Sequence, residues 1–277
     1  MNFLEKKTYA DRYKGTKVGY QLPYIEKPEN NLKSIMDFRH NIRFFDQEKI
    51  PTKEQINNIL KDSHLYVPHK NNLPSVQIKV YGPEYKKDKE ELVLTTVCGP
   101  GRSEYLHKEG KYYGDVEELR TRYYEWRDAH NLIITKKDYS FLFNFRKKYG
   151  LNFNPQVDAP YLLSFTQKPR MPTERQQKLG MGEWVWGHSY YEDFEYRWYL
   201  GSGIHSYAIN LLAAEQGIYG SYCRCFHKIP NLYSKCMEDI KKSKHDVIFL
   251  GLGFRDYNYH HHVDRNKPDL EDYIKWV

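Results

Sequence analysis

Residues 39 to 46 read Arg-His-Asn-Ile-Arg-Phe-Phe-Asp. If this stretch is extended, its side chains alternate between two faces. Arg39, Asn41 and Arg43 then point one way, and His40, Ile42 and Phe44 point the other. One face carries two guanidinium groups and an amide, while the opposite face anchors the segment through apolar side chains. Guanidinium forks grip a phosphate bidentately and stay charged at any working pH, so this face suits a bound anion. Two further cations, Arg265 and Lys267, lie far along the chain in Arg-Asn-Lys-Pro. By themselves they read as an exposed basic tail.

Other reactive groups give weaker patterns. The cysteines, Cys98, Cys223, Cys225 and Cys236, form neither a CxxC pair nor a zinc spacing. Cys223-Arg224-Cys225 reads as a buried strand with two small residues, because its spacing fits no common redox motif. In an extended chain only His260 and His262 of His260-His261-His262 share a face, so no metal site is expected there. His205 reads as a core or interface histidine. No Ser/His/Asp or Cys/His nucleophile arrangement stands out, and Gly251-Leu252-Gly253 lacks the third glycine of a dinucleotide loop.

The elements that must position these groups can be read from periodicity. A short helix covers 31 to 38 and leads directly into Arg39. Thr52 with Gln55 fits a capping box, and Ile56, Ile59 and Leu60 supply the apolar stripe of a helix over 52 to 64. A loop from Pro68 to Pro74 precedes a strand in which Val76, Ile78 and Val80 alternate. The run 92 to 97 reads as a second strand. Helices are predicted over 116 to 131 and 138 to 149, with a buried strand at 161 to 165. The helix over 204 to 217 ends at Gly217, and the central strand spans 247 to 254. The aromatic run from Trp184 to Tyr199 fits either a lid or a packing surface.

Composition sets the outer limits. A chain of 277 residues, 40% hydrophobic and 29% charged, is globular in character. The net charge of +7 and the 26 tyrosines favour anionic partners without choosing among nucleic acid, phosphorylated cofactors and acidic substrates. The start of the sequence lacks an apolar signal core, and the longest apolar run is too short to span a bilayer. The expectation is a cytoplasmic protein with reduced thiols and no membrane partner. There is no internal repeat. Residues 1 to 28 read as an N-terminal arm, and 29 to 277 as a single domain.

The order of features resembles the nitroreductase family of FMN-dependent oxidoreductases. Five blocks carry the likeness: the Arg39 to Asp46 segment; Ile50-Pro51-Thr52 with the Pro68 to Pro74 loop; Asp158-Ala159-Pro160 before a buried strand; the 204 to 217 helix running into Ile218-Tyr219-Gly220-Ser221; and Leu250-Gly251-Leu252-Gly253-Phe254 with Arg265-Asn266-Lys267-Pro268 beyond. The match spans about two-thirds of the chain. Residues 82 to 150 stand outside it as an insertion.

The resemblance implies an α+β fold with a mixed, mainly antiparallel sheet flanked by helices, in an intertwined homodimer. It implies FMN as cofactor, NADH or NADPH as co-substrate, and a small electron-poor acceptor such as a nitroaromatic or quinone. Arg39, Arg265 and Lys267 would hold the FMN phosphate, with His40 and Asn41 at the phosphate or ribityl chain. Arg43 would lie by the pyrimidine edge, with Asn152 or Asn154 near it. Pro68, His69, Lys70 and Asn72 would approach the ring of the partner subunit's flavin, and the Arg224-Cys225 backbone would face N5. Asn41 replaces the family's usual serine, His69 and Lys70 replace small serines, and Arg224-Cys225 replaces Glu-Gly. Two alternatives stand beside this reading. One is a specialised flavin enzyme of the same fold, of reductive dehalogenase or ring-cleavage type. The other is a basic, Tyr-rich protein binding single-stranded nucleic acid, which would be colourless and salt-sensitive.

Overall fold

The computed structural model describes residues 26–68, 76–99, 101, 115–136, 140–167, 174–178, 190–227, 229, 232, 234–242, 247–257 and 274–275. Its helices are α1 (Leu32–Phe38), α2 (Lys53–Tyr66), α3 (Lys86–Leu94), α4 (Val116–Lys136), α5 (Ser140–Tyr149), α6 (Glu174–Lys178), α7 (Tyr190–Glu215) and α8 (Lys235–Lys242). The strands are β1 (Val76–Tyr81), β2 (Tyr161–Gln167), β3 (Tyr219–Cys223) and β4 (Ile248–Gly253). They form one sheet in the order β1-β2-β4-β3, and every described pairing is antiparallel. This is the expected α+β class.

The sheet has helices on both faces, which explains why β2 and β4 read as unbroken apolar runs rather than alternating ones. Leu162 and Phe249 face a cluster built from α3, α4 and α8, including Leu92, Trp126 and Met237. Leu163, Phe165, Leu250 and Leu252 face the other way, toward Ile56 and Ile59 of α2 and Ile209 and Ala213 of α7. α2 starts at the predicted capping box: Thr52 Oγ1 accepts from Gln55 N–H at 3.1 Å, and Gln55 Oε1 accepts from Thr52 N–H at 2.8 Å.

The predicted strand over 92 to 97 is instead the end of α3 and the turn that closes it. Leu92, Val93 and Leu94 are all buried, and a fully buried apolar run gives no period by which strand and helix can be told apart. The hydroxyls of Thr95 and Thr96 bond back to the carbonyls of Leu92 and Val93, both at 2.7 Å, continuing the helical turn. α7 starts fourteen residues earlier than the predicted 204, at Tyr190. Among the described residues, no helix is long and apolar enough to cross a membrane.

A buried charge ties α3 to the sheet. Lys89 is 2% exposed, and its Nζ donates to the carbonyls of Ala159 at 2.8 Å and Pro160 at 2.7 Å. Burial lowers its pKa to about 8. Beside it, burial pushes the Asp158 carboxyl up to about 7, Glu90 adding to the rise and the Arg127 and Lys89 charges opposing it. From the other side, Gln47 Nε2 donates to the carbonyl of Asp158 and to that of Phe45, each at 3.2 Å. The chain leading into β2 is therefore held by both α3 and the Arg39–Asp46 segment.

Candidate functional site

α1 ends where the basic segment begins. Asn31 caps its start, and Arg39 N–H bonds the Ile35 carbonyl at 3.0 Å to close its last turn. Phe38 is buried with its ring 4.3 Å from that of Tyr219, which fixes the direction in which residue 39 leaves the helix. Asn41 and Arg43 are then exposed on either side of the fully buried Ile42. The alternation stops at Phe44 and Phe45. Phe45 is the buried one, because its backbone bridges to Arg255 beyond the end of β4. Asp46 N–H to Phe254 O at 2.9 Å and Asp256 N–H to Phe44 O at 3.2 Å complete that seam.

The glycines of β4 exist for this contact. A Cβ on Gly253 would sit 2.8 Å from Phe45 Cδ1 and 2.7 Å from Pro160 Cδ. One on Gly251 would meet the Gln156 carbonyl at 2.3 Å. The Gly-Leu-Gly motif is thus a slot for the Phe45 ring and the lead-in to β2, not a phosphate loop.

Arg39 lies over the ring of Tyr207 on α7, its guanidinium carbon 5.3 Å from the centroid. Its Nε is buried and has no hydrogen-bond partner among the described residues. Tyr222 of β3 lies within reach of the same charge; burial raises its pKa, Arg39 acts the other way, and its hydroxyl donates to Ser206 O at 2.9 Å. The charge of Arg43 reaches α4. There His130 is held neutral, its pKa down to about 3, by burial first and then by the charges of Arg43 and Arg146, against a raising bond to the Trp126 carbonyl. The His130 ring lies 4.0 Å from Trp126 and 4.9 Å from Phe44.

Arg146 Nε donates to Asn152 Oδ1 at 2.7 Å. The structure therefore brings two predicted residues, Arg43 and Asn152, to one guanidinium and one neutral imidazole. The backbone of Asn152 pairs in both directions with Cys98, at 2.9 and 2.8 Å. Cys98 in turn lies near Cys223 at the end of β3. His227 N–H bonds Thr95 O at 3.1 Å, fastening the segment after β3 to the same turn. Arg39, Arg43, Asn152 and the end of β3 are thus linked by a chain of contacts.

The Cys223-Arg224-Cys225 reading needs correction. β3 stops at Cys223, which pairs with Phe249; only Ile248 of β4 lies beyond, opposite Arg224, and among the described residues no strand faces Cys225. Cys223 is buried, while Arg224 and Cys225 are exposed. Both thus face solvent at the position expected to meet the flavin. His40 is half-buried, and Pro68 is exposed immediately after α2. His69, Lys70, Asn72, Arg265 and Lys267 lie outside the described residues, as do the three consecutive histidines. So do residues 184 to 189 of the aromatic run, the rest of which opens α7.

Sequence reasoning missed Tyr207, His130 and Arg146. Arg146 sits in the basic last turn of α5, a pattern that ordinarily means only that cations favour a helix C-terminus. His130 carries no local signal at all. A cavity of about 210 Å³ lined by Lys49, Tyr219, Arg255 and Tyr257 includes none of the predicted residues.

No protein-family model matches the sequence, and no curated protein matches it. Solved structures do match. A candidate nitroreductase from Exiguobacterium sibiricum, solved in complex with FMN, is 14% identical with a TM-score of 0.54, over 91% of this chain and 100% of its own. The enone reductase CLA-ER of gut-bacterial fatty acid saturation is 13% identical with a TM-score of 0.52, over 90% and 99%. A candidate NAD(P)H:FMN oxidoreductase from Staphylococcus epidermidis is 12% identical with a TM-score of 0.51, over 94% and 100%. The chain has the nitroreductase fold, and the resemblance read from its five sequence blocks holds at that level.

Proposed function

We propose that the chain binds FMN on the surface running from Arg39 to Cys225 and acts as an NAD(P)H-dependent flavin oxidoreductase. The observation that carries this is the buried Arg39 Nε with no hydrogen-bond partner among the described residues. A buried cationic donor left without an acceptor is costly, and a phosphate oxygen would complete it. The residues present fit the group. Arg39, with Tyr207 beneath it, would hold the phosphate together with Arg265 and Lys267, and His40 and Asn41 would bond the phosphate or ribityl chain. Arg43, with Arg146 near it, supplies positive charge where reduction builds negative charge on a pyrimidine edge. Because Asn152 Oδ1 is committed to Arg146, the amide is held in one orientation. The Arg224-Cys225 main chain would lie at N5. Bound FMN supplies two-electron transfer at N5, from NADH or NADPH to an electron-poor acceptor of nitroaromatic or quinone type, in two half-reactions.

The site surface is open in one chain: Asn41, Arg43, Pro68, Arg224 and Cys225 are all exposed. A second copy would close it. α7 carries Leu200, Ile204 and Tyr207, 56%, 40% and 39% exposed, at helical spacing on one stripe. Leu32 and Met36 of α1, which contacts α7, extend the apolar surface. Tyr207 also supports Arg39, so the proposed dimer face and the cofactor surface are continuous. The Pro68, His69, Lys70 and Asn72 loop would then serve the other subunit's ring.

Arg146 and His130 come from the 82 to 150 segment, outside the family resemblance. That favours a more specialised acceptor than a general reductase uses, and a substrate panel under anaerobic reduction would define it. The direct test is the visible spectrum of the purified protein, with FMN released on denaturation. Arg39→Ala should weaken FMN binding by roughly tenfold to a hundredfold, the loss of one or two charge-assisted bonds. Unchanged FMN content in an Arg39→Ala, Arg265→Ala protein would overturn the phosphate assignment. A colourless protein that takes up no FMN would overturn the function.

A further inference from the structure

The end of β3 carries thiol chemistry that the proposed function does not use. The Cys223 thiol lies against Cys225, two residues on, and Cys98 lies near. All three are free. The two partners differ in access: Cys225 is exposed and Cys223 is 4% exposed. The chain turns tightly at Cys225, with Phe226 N–H bonded to Arg224 O at 3.0 Å. Two residues apart in an extended chain, the Cα atoms are separated by about 6.6 Å. That lies within the upper end of the disulfide range, so the bond can close with a small backbone movement.

We propose that Cys225 and Cys223 form a thiol–disulfide exchange site that reacts with low-molecular-weight disulfides. The exposed Cys225 thiolate attacks one sulfur of the small disulfide, forming a mixed disulfide and releasing one thiolate. The buried Cys223 sulfur, already in contact, then attacks Cys225 Sγ as its proton leaves, and the second small thiol is expelled. One small disulfide becomes two thiols and the protein dithiol becomes one disulfide. Excess low-molecular-weight thiol reverses both steps. The asymmetry of burial sets the order, since attack needs an accessible thiolate while resolution needs only a neighbour. Because the Arg224-Cys225 main chain lies on the surface assigned to FMN, the exchange belongs to the FMN-free chain, and bound FMN should slow it. Its consequence at the surface is that oxidation pins Arg224 in the middle of an eleven-membered ring.

The test uses the full-length protein stripped of any bound FMN, oxidised with glutathione disulfide, acid-quenched, alkylated and mapped by mass spectrometry. The expected result is loss of two alkylatable thiols with no retained glutathione and a peptide linking Cys223 to Cys225, reversed by excess reduced glutathione. Cys223→Ser should instead hold glutathione stably on Cys225, while Cys225→Ser should leave Cys223 unmodified. In the native wild type, Cys225 should alkylate on the order of tenfold or more faster than Cys223. A wild-type protein that keeps glutathione on Cys225, links Cys225 to Cys98, or resists oxidation overturns the proposal. The wild-type map decides the matter even if a variant fails to fold.

Discussion

Replacing Asp158 by Asn should change how stability depends on pH. Burial pushes the Asp158 carboxyl from 3.8 up to about 7, with Glu90 adding to the rise. An acid whose folded pKa lies above its unfolded one binds more protons in the folded state across that window, so stability falls as pH rises through it. Between about pH 5 and pH 7 the loss is about 2 kcal/mol at 1.36 kcal/mol per pH unit. For a chain of this length that is a fall of about 4 °C in Tm. Asn keeps the shape, does not titrate, and presents an N–H₂ donor where the protonated acid presents O–H. The assay is a melting series of both proteins from about pH 5 to pH 7. It stops there because losing the carboxylate also removes a charge that supports Lys89, whose pKa burial has already lowered to about 8. The variant's Tm should gain on the wild type by about 4 °C over the series. A constant difference would mean that Asp158 is ionised throughout, and that Lys89 serves it rather than the Ala159 and Pro160 carbonyls.

Lys89→Met keeps the aliphatic stem but strips two buried carbonyls of their donor, and should cost about 2–4 kcal/mol in urea unfolding, with the m-value unchanged. Gly253→Ala drives a methyl into Phe45 and Pro160; it should lower stability by about 1–3 kcal/mol and, because Phe45 anchors the Arg39 segment, weaken FMN binding in the same protein. Ile204→Glu with Leu200→Glu places charge on the exposed stripe of α7. Sedimentation should shift from dimer to monomer with loss of FMN, while the helix content stays unchanged.

The parts of this molecule that were legible in its sequence are those whose signal is local. The Thr52–Gln55 capping box and the glycine stop after α7 each depend on neighbours within a turn, and each is where the spacing puts it; β1 forms where its alternation predicts, but Val80 is exposed and Tyr81 is buried. The Arg39 segment suggests an anion site because two guanidinium groups and an amide at alternate positions share one face. Its shape was only half legible. Alternation predicts Ile42 buried and Arg43 exposed, but it cannot foresee that Arg255, over two hundred residues on, claims the Phe45 backbone and turns that ring inward. The same limit hid Arg146 and His130. A basic helix end and a lone histidine acquire meaning only when α4 and α5 fold against Phe44 and set Arg146 beside Asn152. It also inverted the reading of Cys225. The sequence Cys-Arg-Cys looks like a strand continuing, and it would be one if β4 extended past Ile248 to pair with it. Because that partner is missing, the chain turns, and a residue that would have been core becomes the exposed half of a thiol pair beside a cation. The proposed function therefore rests on where strands and helices run out of partners: it draws on side chains at the ends of α1, β3 and β4 that local rules assign to packing or to solvent.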